Sequence, residues 1–124
     1  MKKVIMILGV VLLSLINLTS CGNSGYDLSS PESTINTLIK ASSEKDKNGL
    51  SLCFSKQSAG EFKSIVDKTL SEKDLNDLKE MFANATIKSS KIDGSNATIS
   101  IKLPQRDEEI LMIKENENWV ILDF

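Results

Sequence analysis

The spacing of apolar residues changes twice along this chain and divides it into three parts. Residues 4–18 are almost all apolar, residues 30–82 repeat apolar side chains three or four positions apart, and residues 86–124 tend to alternate apolar with polar side chains. The first repeat is typical of amphipathic helices, and alternation is typical of strands with one buried face. The pattern therefore predicts a leader segment, then helices, then a sheet.

Four helices are predicted in the middle part of the chain. Ser30 is a suitable cap for the first helix, which we expect to end near residues 45–49, where charged residues precede a glycine. Residues 50–56 and 58–70 carry the next two apolar stripes, and Ser71 opens the last helix with a sequence that resembles a capping box. We interpret these stripes as parts of a hydrophobic core.

Four strands are predicted after the helices, at residues 86–92, 97–103, 109–114 and 119–124. In the second strand every other residue is apolar, which predicts one buried face and one wet face. The third and fourth strands are apolar on both faces, so either a bent sheet wraps them into one core or a second copy or a partner covers them. Helices followed by an antiparallel meander define an α+β fold.

The leader has the features of a bacterial signal sequence. Lys2 and Lys3 precede an uncharged apolar run that is shorter than the roughly 20 residues that a membrane-spanning helix needs. The run ends in Leu-Thr-Ser-Cys, which resembles a lipobox. That resemblance implies cleavage after Ser20 and lipid attachment at Cys21, whose sulfur would then carry diacylglycerol. An ordinary signal-peptide cut and an uncleaved anchor are the alternatives.

The domain organisation follows from this leader. We expect residues 1–20 to be removed as the signal peptide, residues 21–29 to form the lipidated N-terminus and a tether, and residues 30–124 to form a single domain. Tyr26 and Leu28 are the tether residues that can dock on that domain. The whole chain has a formal charge of −2 and no basic patch, so nucleic acid is not an expected partner.

The sequence lacks most of the groups that catalysis or metal binding requires. It contains no histidine, no glycine-rich phosphate loop and no G-x-S-x-G nucleophile motif. Its second cysteine, Cys53, lies in an apolar segment and is expected to be a small buried hydrophobe. The carboxylates Asp74, Asp77 and Glu80 alternate with lysines, as on a solvated helix surface. We therefore expect no enzyme activity, no cofactor and no metal.

Four short features carry a family resemblance: Ser-Pro-Glu at residues 30–32, the apolar positions Ile35, Leu38, Ile39 and Ala41 of the first helix, Asp46 before residues 50–54, and the closing segment IKENENWVI at residues 113–121. Together they resemble small bacterial lipoproteins of unknown function with a nuclear transport factor two-like (cystatin-like) domain. The resemblance implies a cone of helices on a curved four-strand antiparallel sheet, with a concave pocket between the layers. The residues expected to line that pocket are Ile35, Leu38, Phe54, Phe62, Ile65, Ile99, Ile101 and Trp119.

The expected function is that of a non-catalytic protein of the bacterial cell envelope, anchored by lipid to a membrane, with the outer membrane favoured. Its domain is expected to bind a small apolar ligand or a peptide. The alternative is a protein–protein interaction module, an accessory or inhibitor of an envelope protein or a homodimer formed through the sheet. A ligand carrier should enclose an apolar cavity, whereas an interaction module should have a filled interior and an exposed apolar sheet face.

We predict that Cys21 is acylated in a bacterial host. Cells grown with labelled palmitate should incorporate label into this protein, and Cys21→Ala should abolish incorporation because it removes the lipobox sulfur. Autoradiography of the immunoprecipitated chain measures the label. No incorporation, or undiminished incorporation in Cys21→Ala, would end the idea of acylation at this position.

Overall fold

Four helices precede four strands in the part of the chain that this computed structural model describes, residues 26–58 and 62–124. The predicted signal peptide and Cys21 lie outside the described residues. None of the described helices has both the length and the apolar character needed to cross a bilayer. The helices are α1 (Pro31–Glu44), α2 (Lys47–Leu52), α3 (Lys63–Val66) and α4 (Glu72–Met81). The strands are β1 (Thr86–Asp93), β2 (Asn96–Lys102), β3 (Asp107–Glu115) and β4 (Asn118–Asp123).

Helix α1 begins at the predicted cap and ends at Glu44, next to the predicted range of residues 45–49. The Ser30 side chain accepts a hydrogen bond at 3.1 Å from the N–H three residues later and so caps the helix. At the other end, Lys45 adopts a left-handed conformation with a φ of 55°. Helix α2 starts almost at once, because the Asp46 side chain caps it. Gly49 consequently lies inside α2, and the prediction that it stops a helix is wrong.

The chain after α2 forms an isolated β-bridge and a turn where the apolar spacing predicted more helix. Phe54 forms a parallel bridge with Ile121 of β4. The Ile121 N–H donates to the Cys53 carbonyl at 2.7 Å, and the Ser55 N–H donates to the Ile121 carbonyl at 2.8 Å. Pairing with the sheet edge satisfies backbone groups that a helix would otherwise satisfy, so the helix predicted for this segment is wrong beyond its first half.

Helix α3 is also shorter than predicted. The sequence favoured a helix over residues 58–70, and the described part of that segment contains one turn, Lys63–Val66. Lys68 has a φ of 63°, a left-handed conformation typical of the residue that follows a helix end. The chain then reaches Ser71, whose side chain opens α4 with the predicted capping box.

The four strands pair in sequence order, and every neighbouring pair is antiparallel, which confirms the α+β class and the predicted meander. On β2 the predicted alternation is confirmed, since Ile99 and Ile101 are fully buried and the residues beside them are more exposed. Asn116 and Glu117 in the last turn have φ values of 50° and 71°. Positive φ at both positions is what a type I′ hairpin turn requires, so this turn sets the register of β3 against β4.

Helix α1 lies across one face of the sheet, where it contacts β1, β2 and β4. The Thr34 hydroxyl of α1 donates to the Trp119 carbonyl at 2.6 Å. Three successive residues of β4 are buried, so both of its faces are covered, whereas Leu111 on β3 is 44% exposed. Trp119 and Ile121 belong to the core cluster and Val120 is buried outside it, so cover on both sides accounts for the doubly apolar β4, while Leu111 on β3 stays exposed.

The described part of the predicted tether is packed on the domain. The Tyr26 hydroxyl donates to the Asp46 carboxylate at 2.7 Å. The Tyr26 ring lies against Gly49, where an added Cβ would approach a ring carbon to 2.6 Å. The Leu28 carbonyl accepts a hydrogen bond from the Trp119 N–H at 2.8 Å. These contacts hold the start of the described chain against α2 and β4.

We predict that Tyr26→Phe removes a pH-dependent contribution to stability. The hydrogen bond from Tyr26 lowers the pKa of Asp46, so the bond stabilises the fold above the ordinary aspartate pKa of about 3.9 and is lost as the pH falls further. Tyr26→Phe should lower the free energy of unfolding by about 1 kcal/mol near neutral pH and by much less near pH 2 to 3. Urea unfolding at both pH values measures this difference.

Thr37→Val is the matched control for this prediction. It removes a hydroxyl whose hydrogen is shared between the Ser33 carbonyl at 2.9 Å and the Asp27 carbonyl at 3.1 Å, so it weakens a contact to residues 26–29 without involving a titrating group. Its effect on stability should be equal at the two pH values. If Tyr26→Phe also had equal effects at both, the charged form of Asp46 would have no part in holding the tether.

Candidate functional site

The eight residues predicted to line a pocket are brought together, and they lie in the hydrophobic core. Each is at most 8% exposed, and all belong to one buried cluster. Phe54, Phe62 and Phe124 form an aromatic group whose ring centroids are 5.1 to 6.3 Å apart. Side chains therefore occupy much of the interior where the sequence predicted a pocket.

A groove open to solvent lies beside this aromatic group, between α3, α4 and the loop that joins β2 to β3. It consists of two hollows of about 210 and 360 Å³ that share Asp77, Met81 and Arg106. We call it the α4 groove. Of the eight predicted residues, Phe62 and Ile65 line it. Its further apolar lining is Leu70, Leu78, Met81, Leu103 and Phe124.

Charged side chains border the α4 groove and give it a negative rim. Four carboxylates face one guanidinium, and the Arg106 Nε donates to Glu108 at 2.5 Å. Asp77 accepts a hydrogen bond from Lys73 at 2.9 Å, which raises the pKa of that exposed lysine. An apolar floor with an acidic rim complements a ligand that carries an apolar group next to a positive charge. The rim carboxylates are Asp74, Asp77, Glu80 and Glu108.

The first turn of α4 positions this rim. The Ser71 side chain accepts a hydrogen bond from the Asp74 N–H at 3.1 Å, and the Asp74 carboxylate accepts one from the Ser71 N–H at 3.5 Å. Lys45, just after α1, donates to Glu72 at 2.5 Å and lowers the pKa of that carboxyl group. Leu75 is 4% exposed and packs α4 on the core. The rim residues then follow at helical spacing.

The alternation with lysines predicts that Asp74, Asp77 and Glu80 lie on a solvated helix surface, and it does not indicate a groove beside them. All three are exposed, as that interpretation requires. However, Asp74, Asp77 and Met81 follow one another at spacings of three and four, which places them on one side of α4. This spacing is the feature of the sequence from which one wall of the groove could have been predicted. The opposite wall is the β2–β3 loop, whose position along α4 depends on tertiary packing.

Cys53 is placed where its thiol is unreactive. It is fully buried, its thiol lies 3.4 Å from the Gly49 carbonyl oxygen, and burial raises its pKa to about 12. The thiolate is the nucleophilic form of cysteine, so this residue is not a candidate nucleophile at neutral pH. Within residues 26–58 and 62–124, no group of three or more potential metal ligands of the Cys, Asp or Glu type comes together.

No family model, curated protein or solved structure matches this chain. The resemblance to cystatin-like lipoproteins therefore depends on the short sequence features alone. The role of the α4 groove has to be inferred from its geometry and charge.

We predict that Cys53 does not react with 5,5′-dithiobis(2-nitrobenzoate) in the folded protein. At about pH 8 its reaction should be at least about 100-fold slower than that of an unfolded thiol, because burial suppresses the thiolate. The release of thionitrobenzoate is followed by absorbance, with and without concentrated guanidinium chloride. Cys53→Ala is the control, and it should reduce the signal of the unfolded protein only. A smaller signal from folded Cys53→Ala than from folded wild type would show an accessible thiol.

Proposed function

We propose that the protein is a non-catalytic, lipid-anchored module of the bacterial cell envelope that binds an apolar ligand or peptide segment carrying positive charge. The observation that carries this proposal is the α4 groove, with its apolar floor and its rim of four carboxylates and one arginine. Burial of an apolar group on the floor would supply affinity. Pairing with the rim would supply selectivity for positive charge.

The shape of the groove favours an extended segment over an enclosed small molecule. Its two hollows share Asp77, Met81 and Arg106, so they form one open path along α4. A peptide can place an apolar side chain in each hollow and a cationic side chain near Asp77. Phe54 and Trp119, which the predicted ligand cavity would need on its wall, line neither of these two hollows.

The anchor in this proposal is Cys21, exposed as the new N-terminus by cleavage after Ser20, and the membrane is the outer membrane. Three features support the lipid anchor: the basic start of the chain, the uncharged apolar run and the lipobox-like Leu-Thr-Ser-Cys. Tyr26 follows Cys21 by five residues, which span at most about 18 Å when extended. Because Tyr26 packs on α2, such an anchor would hold the domain close to the bilayer.

We also infer a distant relation to the lipoproteins with a nuclear transport factor two-like (cystatin-like) domain. It is supported by the start of α1 at Ser30 and Pro31, by the hairpin turn before Trp119, and by α1 lying on one face of a four-strand antiparallel sheet. The lack of catalysis is supported by a sequence without histidine and by the buried thiol of Cys53.

A second candidate function is an interaction through the outer face of the sheet, with a partner or a second copy. One observation favours it, because Leu111 on β3 is 44% exposed and Ile113 and Leu122 are half-buried. Exposed apolar residues in such small numbers are ordinary on monomeric proteins. The α4 groove, with apolar and charged groups combined, is therefore the preferred site.

We predict that a fluorescent peptide of alternating leucine and lysine binds in the α4 groove. Met81→Arg should weaken binding at least about tenfold, because it fills the shared part of the floor and repels the peptide. Leu111→Arg makes the same chemical change on the outer sheet face and should leave the affinity unchanged. Fluorescence anisotropy titrations measure both, and thermal melts show that each variant is folded.

A second pair of variants separates charge at the rim from charge in general. Asp77→Lys and Asp93→Lys change the net charge equally, and Asp93 is exposed at the end of β1, outside the groove. Only Asp77→Lys should weaken binding. Equal weakening by both would point to non-specific attraction, and loss of binding in Leu111→Arg alone would favour the sheet face over the groove.

A further inference from the structure

A second groove adjoins α3 and carries the opposite charge. It has a volume of about 570 Å³ and lies between α2, α3 and the turn that joins β3 to β4. Leu52 on its border is 46% exposed, one of three large apolar side chains in the described part of the chain that are exposed to this degree. We call it the Leu52 groove. Its apolar lining is Leu28, Leu52, Phe54, Val66 and Val120.

Lysines supply the charge at this groove. Lys56 and Lys68 line it, and both are exposed. Glu115, the carboxylate in its lining, accepts hydrogen bonds from the Ser55 hydroxyl at 2.6 Å and from the Gln57 amide at 3.0 Å. Glu115 keeps its negative charge, but the two exposed lysines outnumber it, so the lining of the groove carries a small net positive charge.

The N-terminal part of the described chain reaches the Leu52 groove at Leu28. Leu28 lines the groove, and its carbonyl is bound to the Trp119 N–H at 2.8 Å, so this part of the chain is held in place. Cys21 precedes Leu28 by seven residues, which span at most about 25 Å when extended. A lipid on Cys21 would keep this side of the domain within that distance of the bilayer.

We propose that the Leu52 groove docks on a bilayer surface that contains anionic phospholipid. Leu52 enters the headgroup region, and Lys56 and Lys68 lie beside the lipid phosphates. Burial of an exposed apolar side chain in the interfacial region favours membrane binding, and each lysine near an anionic surface adds electrostatic attraction to it. The proposal rests on the lipid anchor of the proposed function, and it leaves the α4 groove open to solvent for its own ligand.

The test compares two introduced cysteines in the full lipidated chain. Leu52→Cys reports on the groove, and Leu111→Cys is the matched control, because the two leucines are 46% and 44% exposed. Each variant is bound to preformed vesicles of phosphatidylcholine, with or without phosphatidylglycerol, and labelled with a membrane-impermeant maleimide. Labelling of the wild-type chain measures the background reaction of its native cysteines. With phosphatidylglycerol, labelling of Leu52→Cys should slow by about fivefold and that of Leu111→Cys should not change.

A combined Lys56→Glu and Lys68→Glu change in the Leu52→Cys chain should restore the faster labelling. Equal labelling of Leu52→Cys in both kinds of vesicle would overturn the docking proposal, and so would equal slowing of Leu111→Cys. A flotation assay with vesicles of phosphatidylcholine alone tests the lipid anchor separately. A chain without the anchor would not float with these vesicles. In that case, protection of Leu52→Cys by an excess of phosphatidylglycerol vesicles still decides whether the groove docks.

Discussion

The structure depends on the outer edge of β4, which binds two distant parts of the chain through backbone hydrogen bonds. The N–H groups of Trp119 and Ile121 donate to the carbonyls of Leu28 and Cys53 at 2.8 and 2.7 Å, and the Ile121 carbonyl accepts from the Ser55 N–H at 2.8 Å. An edge strand with unpaired backbone groups tends to recruit another chain. Here the same groups attach the tether and the chain between α2 and α3.

This edge determines where the two grooves form. Because residues 53–55 run along β4, α2 and α3 are held next to that side of the sheet. Two consecutive residues of α3, Ile65 and Val66, line different grooves, one with an acidic rim and one with lysines on its border. The two grooves therefore combine an apolar surface with charges of opposite sign. This difference in charge is the reason for assigning a different partner to each groove.

The sequence predicted correctly those features that depend on interactions between residues close together in the chain. The cap at Ser30, the capping box at Ser71 and the alternation of β2 are all in place, because each depends on neighbouring residues only. The helical spacing of Phe54 predicts a helix, whereas its pairing with β4 depends on residues far away in the sequence and has no local signal. The eight predicted pocket residues were correctly grouped as apolar and inward-facing, but whether such residues enclose a cavity or a packed core depends on tertiary packing.

Amide hydrogen exchange of the folded protein tests the central role of the β4 edge most directly. If the edge is bonded as described, the amides of Ser55, Trp119 and Ile121 should exchange as slowly as those at the centre of β2, through unfolding of the whole domain. Rapid exchange at these three amides, with slow exchange at Ile99 and Ile101, would contradict the account, since the tether and the segment after α2 would then not be held by β4.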